Sequence, residues 1–320
     1  MRDHGGNIDA AMARYGGAPE DWIDLSTGIN RVPYPLPPIP PDAWTALPTR
    51  AAQARLCAAA RAAYRTGAAI LPVAGAQAAI QMIPRLCPPG RARVLAPTYN
   101  EHAAALRAAG WAVEEVAEPA ALAGVDLAVV VNPNNPDGRC LSPDRVRDIA
   151  RTTGRLVVDE SFADATPGLS LASGPATPGL MVLRSFGKFY GLAGVRLGFV
   201  LGAEVDINTL AATAGPWPVS GAAIAIGAVA LADDAWAAQT ANRLAADGRR
   251  MDSLAARAGW RLAGGSSLFR LYDTQDAARA QDRLARARIW SRIFPYSATW
   301  LRLGLPGGEP EWDRLAAAMA

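Results

Sequence analysis

The chain is 320 residues long, 51% hydrophobic and 19% charged, with a formal net charge of +3; that length supports a sizeable core, as one large domain or a large and a small one. Its dispersed arginines and small net charge exclude a nucleic-acid surface, and no stretch reaches the roughly 18 uninterrupted apolar residues of a membrane span. Three scattered cysteines (Cys57, Cys87, Cys140) and two histidines (His4, His102) exclude a disulfide frame and a multi-histidine metal site.

The opening Met1-Arg2-Asp3-His4-Gly5-Gly6 has no apolar secretory segment, so a reduced, cytoplasmic protein is expected. From residue 1 to about 41 the sequence reads as irregular. Asp24 to Asn30 is turn-forming, and the prolines between 33 and 41 rule out a helix, because proline lacks the amide donor and restricts its predecessor. This segment reads as an arm laid over another surface. A helix is expected from about 53 to 64, with Leu56, Ala60 and Ala63 on one face.

Strand and helix then alternate. Strands are expected over 70–73, 93–96, 111–116, 127–131, 156–158 and 181–183. Helices open at Gly75-Ala76-Gln77, after Asn100-Glu101-His102, and at Ser142-Pro143-Asp144, where a serine precedes a proline in the first turn. Continuous apolar strands separated by helices predict an α/β fold with a mostly parallel sheet covered on both faces. Ligands bind such sheets at the carboxyl ends of the strands. After Gly215-Pro216-Trp217-Pro218 an alanine-rich helical stretch is expected over about 221–258. Short strands follow near 260–262, 268–271, 290–293 and 300–303, and a final helix starts at 311. The expected domains are an arm over 1–41 joining the small domain, a large domain over 42–215, and a small α+β domain over 216–320.

Of the 32 basic residues one is a lysine, Lys188, and the other 31 are arginine. A guanidinium stays protonated and is a poor nucleophile, whereas lysine can lose its proton in a tuned pocket and condense with an aldehyde. A lone lysine could be a surface residue, but its setting in Ser185-Phe186-Gly187-Lys188-Phe189-Tyr190-Gly191 points to chemistry. Gly75-Ala76-Gln77 presents free amides at a helix start, either an anion site or an ordinary turn. Ser185 and Arg196 suit a phosphate, or are a cap and a surface arginine. Asp159 ends an apolar strand, where a carboxylate must find a partner. It reads as the anion facing a protonated pyridine nitrogen, or as a cap or structural ion pair. Asn135 could bond a phenolic oxygen or merely serve its turn. Tyr99 is a plate for a flat cofactor or a core aromatic. Glu101 and His102 read as part of a helix's first turn. Together these residues describe every polar handle of pyridoxal 5′-phosphate.

The segments Asn-Pro-Asn-Asn-Pro-Asp-Gly (132–138), Val-Val-Asp-Glu-Ser-Phe (157–162) and Ser-Phe-Gly-Lys-Phe-Tyr-Gly-Leu-Ala-Gly-Val-Arg (185–196) resemble the aspartate-aminotransferase-like, fold type I family of pyridoxal-phosphate enzymes. His4-Gly5-Gly6-Asn7, Pro97 to His102, Gly215 to Ser220 and Leu301 to Pro306 are most similar to its cobalamin-biosynthetic branch, the threonine-phosphate decarboxylases. The resemblance implies a seven-stranded sheet sandwiched by helices, a pyridoxal-phosphate cofactor, a small phosphorylated amino acid as substrate, and a homodimer. By the same resemblance Lys188 would hold the cofactor covalently and Asp159 would pair with its ring nitrogen. Asn135 would bond the ring hydroxyl and Tyr99 would stack on the ring. Ala76, Gln77, Ser185 and Arg196 would hold the phosphate. Arg302 would bind the substrate carboxylate, Arg292 would be a second anion contact, and His4 and Asn30 would lie near the substrate.

There are departures from the family pattern. Phe162 stands where aminotransferases commonly place a tyrosine bonded to the ring hydroxyl, which should raise the pKa of the lysine–cofactor linkage. Asp137 replaces a threonine, and the tyrosine that related enzymes lend from the partner subunit is not evident around Leu47-Pro48. The expected reaction is decarboxylation of O-phospho-L-threonine. Two alternatives stay open: transamination of a compound such as histidinol phosphate, and a non-catalytic role in corrinoid assembly.

Overall fold

Apolar runs such as Leu127–Val131, buried at every position, build a seven-stranded sheet in the computed structural model, which describes residues 4–320. Its strands are β1 (Ala69–Val73), β2 (Arg91–Leu95), β3 (Ala112–Val116), β4 (Leu127–Val131), β5 (Arg155–Asp159), β6 (Leu180–Ser185) and β7 (Gly198–Gly202). Their spatial order is β1-β7-β6-β5-β4-β2-β3. Strands β3, β2, β4, β5 and β6 pair in parallel, and β7 runs antiparallel to both β6 and β1. Five-residue strands without a polar face need cover on both sides. Ala79, Ile80 and Ile83, Leu106, and Ile207 and Leu210 pack from helices onto Val94, Val129, Val157, Met181 and Leu183 of the sheet. Each of these side chains larger than alanine contributes about 1.5–3 kcal/mol of burial energy.

The strand β7 has no counterpart in the sequence reading. Gly-Phe-Val-Leu-Gly is short and glycine-bounded, a weak local signal. It is a strand because it fills the slot between β1 and β6, where all five residues are buried. The helix expected from 53 runs over Arg50–Tyr64, its start fixed by Thr49, whose hydroxyl accepts from Ala52 N at 3.1 Å.

The chain divides into two compact units. The large one comprises Tyr34–Asn135 and Cys140–Ala238; the small one comprises the chain up to Pro33, Pro136–Arg139 and Gln239–Ala320. The helical stretch expected over 221–258 is two helices, Gly221–Ala230 and Asp234–Arg257, bent by 78°. The division falls inside the second helix rather than at the Gly215 turn, and the N-terminal division falls at Pro33 rather than 41. No single helix among the described residues is long and apolar enough to cross a membrane.

The small unit carries β8 (Arg261–Ser266), β9 (Phe269–Asp273), β10 (Arg292–Phe294) and β11 (Ser297–Gly304) in the antiparallel order β10-β11-β9-β8. Ile23–Asp24 pairs in parallel with Ile289–Trp290, so the N-terminal segment is stitched into this unit. That segment is not irregular throughout. Ile8–Tyr15 is a helix capped by the Asn7 side chain, which accepts from Ala10 N at 3.2 Å. Met1-Arg2-Asp3, part of the expected arm, lies outside the described residues.

Candidate active site

The loops leaving the carboxyl ends of β1, β2, β4, β5 and β6, with the loop entering antiparallel β7, surround a cavity of about 170 Å³. All eight residues expected to hold a cofactor line it: Ala76, Gln77, Tyr99, Asn135, Asp159, Ser185, Lys188 and Arg196. They lie up to 120 positions apart, and alternation of strand and helix brings them to one edge of the sheet. Lys188 is half-buried in the short helix Phe186–Phe189 directly after β6, with Nζ 5.8 Å from the centroid of the Phe162 ring. Phe162 itself lines the cavity.

Asp159 is the last residue of β5 and is 3% exposed. Alternation along the strand turns its neighbour Glu160 to the opposite side. There Glu160 accepts from Arg184 Nη1 at 3.0 Å, from Leu171 N at 2.6 Å and from the Ser170 hydroxyl. Asp159 Oδ2 lies 2.8 Å from His102 Nε2, and Oδ1 accepts from Ser161 N at 2.9 Å and Ser161 Oγ at 2.5 Å. Burial by itself pushes this carboxyl up; the bond and charge of His102, with the two bonds from Ser161, outweigh it and hold the group below the usual aspartate range. The result is a fixed anion inside the cavity.

His102 is therefore more than a first-turn residue of the helix Glu101–Ala108. It is buried under Asp159. Its signal in the sequence was its place three residues after Tyr99, at the edge where a strand-end carboxylate needed a partner. Ser161 carried no such signal, since serine two residues past an aspartate is ordinary turn chemistry.

At the other side of the cavity, Gly75 has φ +74° and caps the helix Ala76–Met82. A Cβ there would come within 2.5 Å of Arg196 Nη2, so glycine lets the guanidinium lie over the helix start. Backbone amides, a guanidinium and the Ser185 hydroxyl thus converge as an anion cradle. The donor set fits pyridoxal 5′-phosphate at each polar end: an amine for its aldehyde, a held anion for its ring nitrogen, and a cradle for its phosphate.

The four residues expected at the substrate, His4, Asn30, Arg292 and Arg302, belong to the small unit. Arg292 on β10 and Arg302 on β11 are partners in register across adjacent strands. Arg302 is 6% exposed and donates through Nη2 to Ser26 O at 2.6 Å. Burial first, and then the charge of Arg292, bring its pKa down to about 10. Two guanidiniums held side by side in this way gain from an anion between them. Asn30 is buried and accepts from Arg243 Nη2 at 2.7 Å, a partner the sequence did not indicate; His4 is exposed.

Comparison with known proteins bears on this geometry. The family model for aminotransferase class I and II matches residues 45–318. Threonine-phosphate decarboxylases from Sinorhizobium sp and Pseudomonas aeruginosa are each 46% identical to this chain, over 99% and 100% of it and 97% of each relative. Among solved structures, histidinol-phosphate aminotransferase from Sinorhizobium meliloti in complex with pyridoxal-5′-phosphate superimposes with a TM-score of 0.80 at 21% identity, covering 97% of this chain and 92% of that one.

Proposed function

This chain belongs to the class I and II aminotransferase family, and we propose that it is a pyridoxal 5′-phosphate-dependent carboxy-lyase. Its substrate is O-phospho-L-threonine, and its products are carbon dioxide and (R)-1-aminopropan-2-yl phosphate for the corrinoid side chain. The observation that carries this reading is full-length identity to threonine-phosphate decarboxylases, joined to a cavity in which the one lysine shares the wall with Asp159.

When bound, the cofactor supplies an electron sink for the bond broken at the substrate's α-carbon. The residues of the chain do the rest. Lys188 would tether the cofactor through its amine, and it is the cavity's one amine able to take up or give back a proton. Asp159, held anionic by His102 and Ser161, would keep the ring nitrogen protonated. Tyr99 would stack on the ring, Asn135 would bond its hydroxyl, and Ala76, Gln77, Ser185 and Arg196 would hold its phosphate. Arg302 takes the substrate carboxylate, Arg292 is the second anion contact, and His4 and Asn30 complete the substrate surroundings. Which bond breaks follows from which substituent these arginines orient toward cleavage.

The test is product analysis. Purified enzyme with O-phospho-L-threonine is expected to release one carbon dioxide per substrate with no requirement for a keto acid. Replacement of Arg302 by glutamine is expected to raise KM by about 10- to 100-fold, the loss for a charge-assisted bidentate contact. Turnover that depends on 2-oxoglutarate and releases no carbon dioxide contradicts the lyase and supports the aminotransferase reading.

The partner proposed for the large unit is a second copy of the chain. Leu36, Trp44 and Leu47 are each at least 60% exposed, an apolar set close together in the sequence. Light scattering is expected to give twice the mass of one chain; a monomer at micromolar concentration contradicts this. The cytoplasm is the proposed compartment, in keeping with an odd number of cysteines set far apart in the sequence, and recovery in the soluble cytoplasmic fraction of cells checks it.

A further inference from the structure

The Tyr99 hydroxyl donates to Gln77 Oε1 at 3.2 Å, and Gln77 Nε2 donates to Glu101 Oε2 at 3.2 Å. Tyr99 and Gln77 line the cavity that contains Lys188; Glu101 stands behind them, 5% exposed. An acid in the first turn usually serves the dipole of its own helix. Glu101 does open the helix Glu101–Ala108, yet its carboxylate meets an amide on another helix, 24 positions earlier in the chain.

A primary amide can present either end to a neighbour. Beside a carboxylate only the nitrogen end is acceptable, so the oxygen end is turned to the tyrosine and accepts its proton. The reversed amide would set oxygen against carboxylate oxygen and deprive the phenol of its acceptor. The carboxylate thus fixes the amide, and the amide fixes the far end of the Tyr99 ring. A second restraint on that ring is His102, edge-on with centroids 6.1 Å apart at 83°. One side chain of this helix's first turn supports Asp159, and the one before it supports Tyr99.

We propose that Glu101 is a positioning residue for the cofactor site: acting through Gln77, it sets the plane of the Tyr99 ring against which the pyridine ring stacks. This rests on the reading of Tyr99 as the stacking plate. The role is not catalytic, since Glu101 does not line the cavity.

The experiment is a double-mutant cycle on Glu101 and Tyr99, read by the Kd for pyridoxal 5′-phosphate and by the visible circular dichroism of the bound cofactor. Glu101→Ala and Tyr99→Phe are each expected to weaken binding by about 3- to 10-fold, the loss for one hydrogen bond, and to reduce the dichroism. The double variant should be no worse than the weaker single one, because both break the same chain of contacts. Glu101→Gln can turn either end of its amide to Gln77, so it is expected to fall between the parent and Glu101→Ala. Should Glu101→Ala not fold, Glu101→Met fills the volume without an acceptor and takes its place in the cycle. Losses that multiply in the double variant, or a Glu101 variant without an acceptor that keeps the parent Kd and dichroism, overturn the proposal while leaving the stacking role intact. A Tyr99→Ala variant with unchanged Kd overturns the stacking role itself, and the proposal with it.

Discussion

Replacing Lys188 by alanine is expected to lower decarboxylation by on the order of 10³- to 10⁴-fold or more, because tether and proton carrier are lost together. Replacement by arginine should be as severe. Elsewhere in this chain arginine serves wherever a cation is wanted: Arg184 sits buried between Glu160 and Asp164, and Arg31 and Arg250 pair with Glu311 and Glu309 on the small unit. If position 188 needed only a positive charge, arginine would restore function. A guanidinium that never gives up its proton cannot attack an aldehyde, so the two variants should fail alike. Both should fold, since Lys188 is half-buried in the short helix Phe186–Phe189 and the strands that build the core are untouched. Steady-state rates with O-phospho-L-threonine and far-ultraviolet circular dichroism check both halves; an arginine variant with more than about a tenth of the parent rate contradicts the account.

Asp159→Asn is the second large effect. Asparagine can keep the contacts to Ser161 and His102, but it removes the charge that holds the ring nitrogen protonated. A loss on the order of 10²- to 10³-fold in kcat is expected, comparable with removing one preorganised electrostatic contact from an active site. The same residue predicts a pH signature in the protein without substrate. The folded-state pKa of Asp159 is depressed, so its stabilising contribution is complete above the ordinary aspartate value near 3.9. It is lost as pH falls below that value and through the folded one. Denaturant unfolding of the parent should therefore weaken more steeply below about pH 4 than that of Asp159→Asn. Parallel curves for the two proteins contradict the ionised, His102-bonded carboxylate described here.

Most of the cavity was legible because each of its residues is marked locally. A proline-bounded asparagine turn, a carboxylate closing an apolar run, and a glycine at a helix start each sit at a strand end, and the parallel sheet collects strand ends along one edge. What the sequence did not disclose depends on groups that meet only after folding. His102 and Ser161 look like an ordinary first-turn residue and an ordinary turn serine; their meaning lies in reaching the same carboxylate, one from a helix and one from the turn after β5. Glu101 reaches Gln77 across 24 positions and Arg243 reaches Asn30 across 213, distances at which no periodicity survives. The fold shows the same limit. Leu127–Val131 is a strand by its own composition, whereas Gly198–Gly202 is one only because two neighbours leave it a slot. The N-terminal helix Ile8–Tyr15 escaped notice for a different reason: Ile8, Ala11, Met12 and Tyr15 do share a face, but two turns fall short of the stretch over which a helical period can be read.

Every role assigned to the cavity follows from the bond between the Lys188 amine and the cofactor aldehyde. Borohydride reduction of the holoenzyme, followed by trypsin digestion and mass spectrometry, tests it directly. Because arginines precede Ser185 and end the segment at Arg196, the predicted result is one peptide spanning residues 185–196, uncleaved after Lys188 and carrying a single phosphopyridoxyl group. Recovery of the unmodified peptide cut after Lys188, from a preparation that contains stoichiometric cofactor, would contradict it.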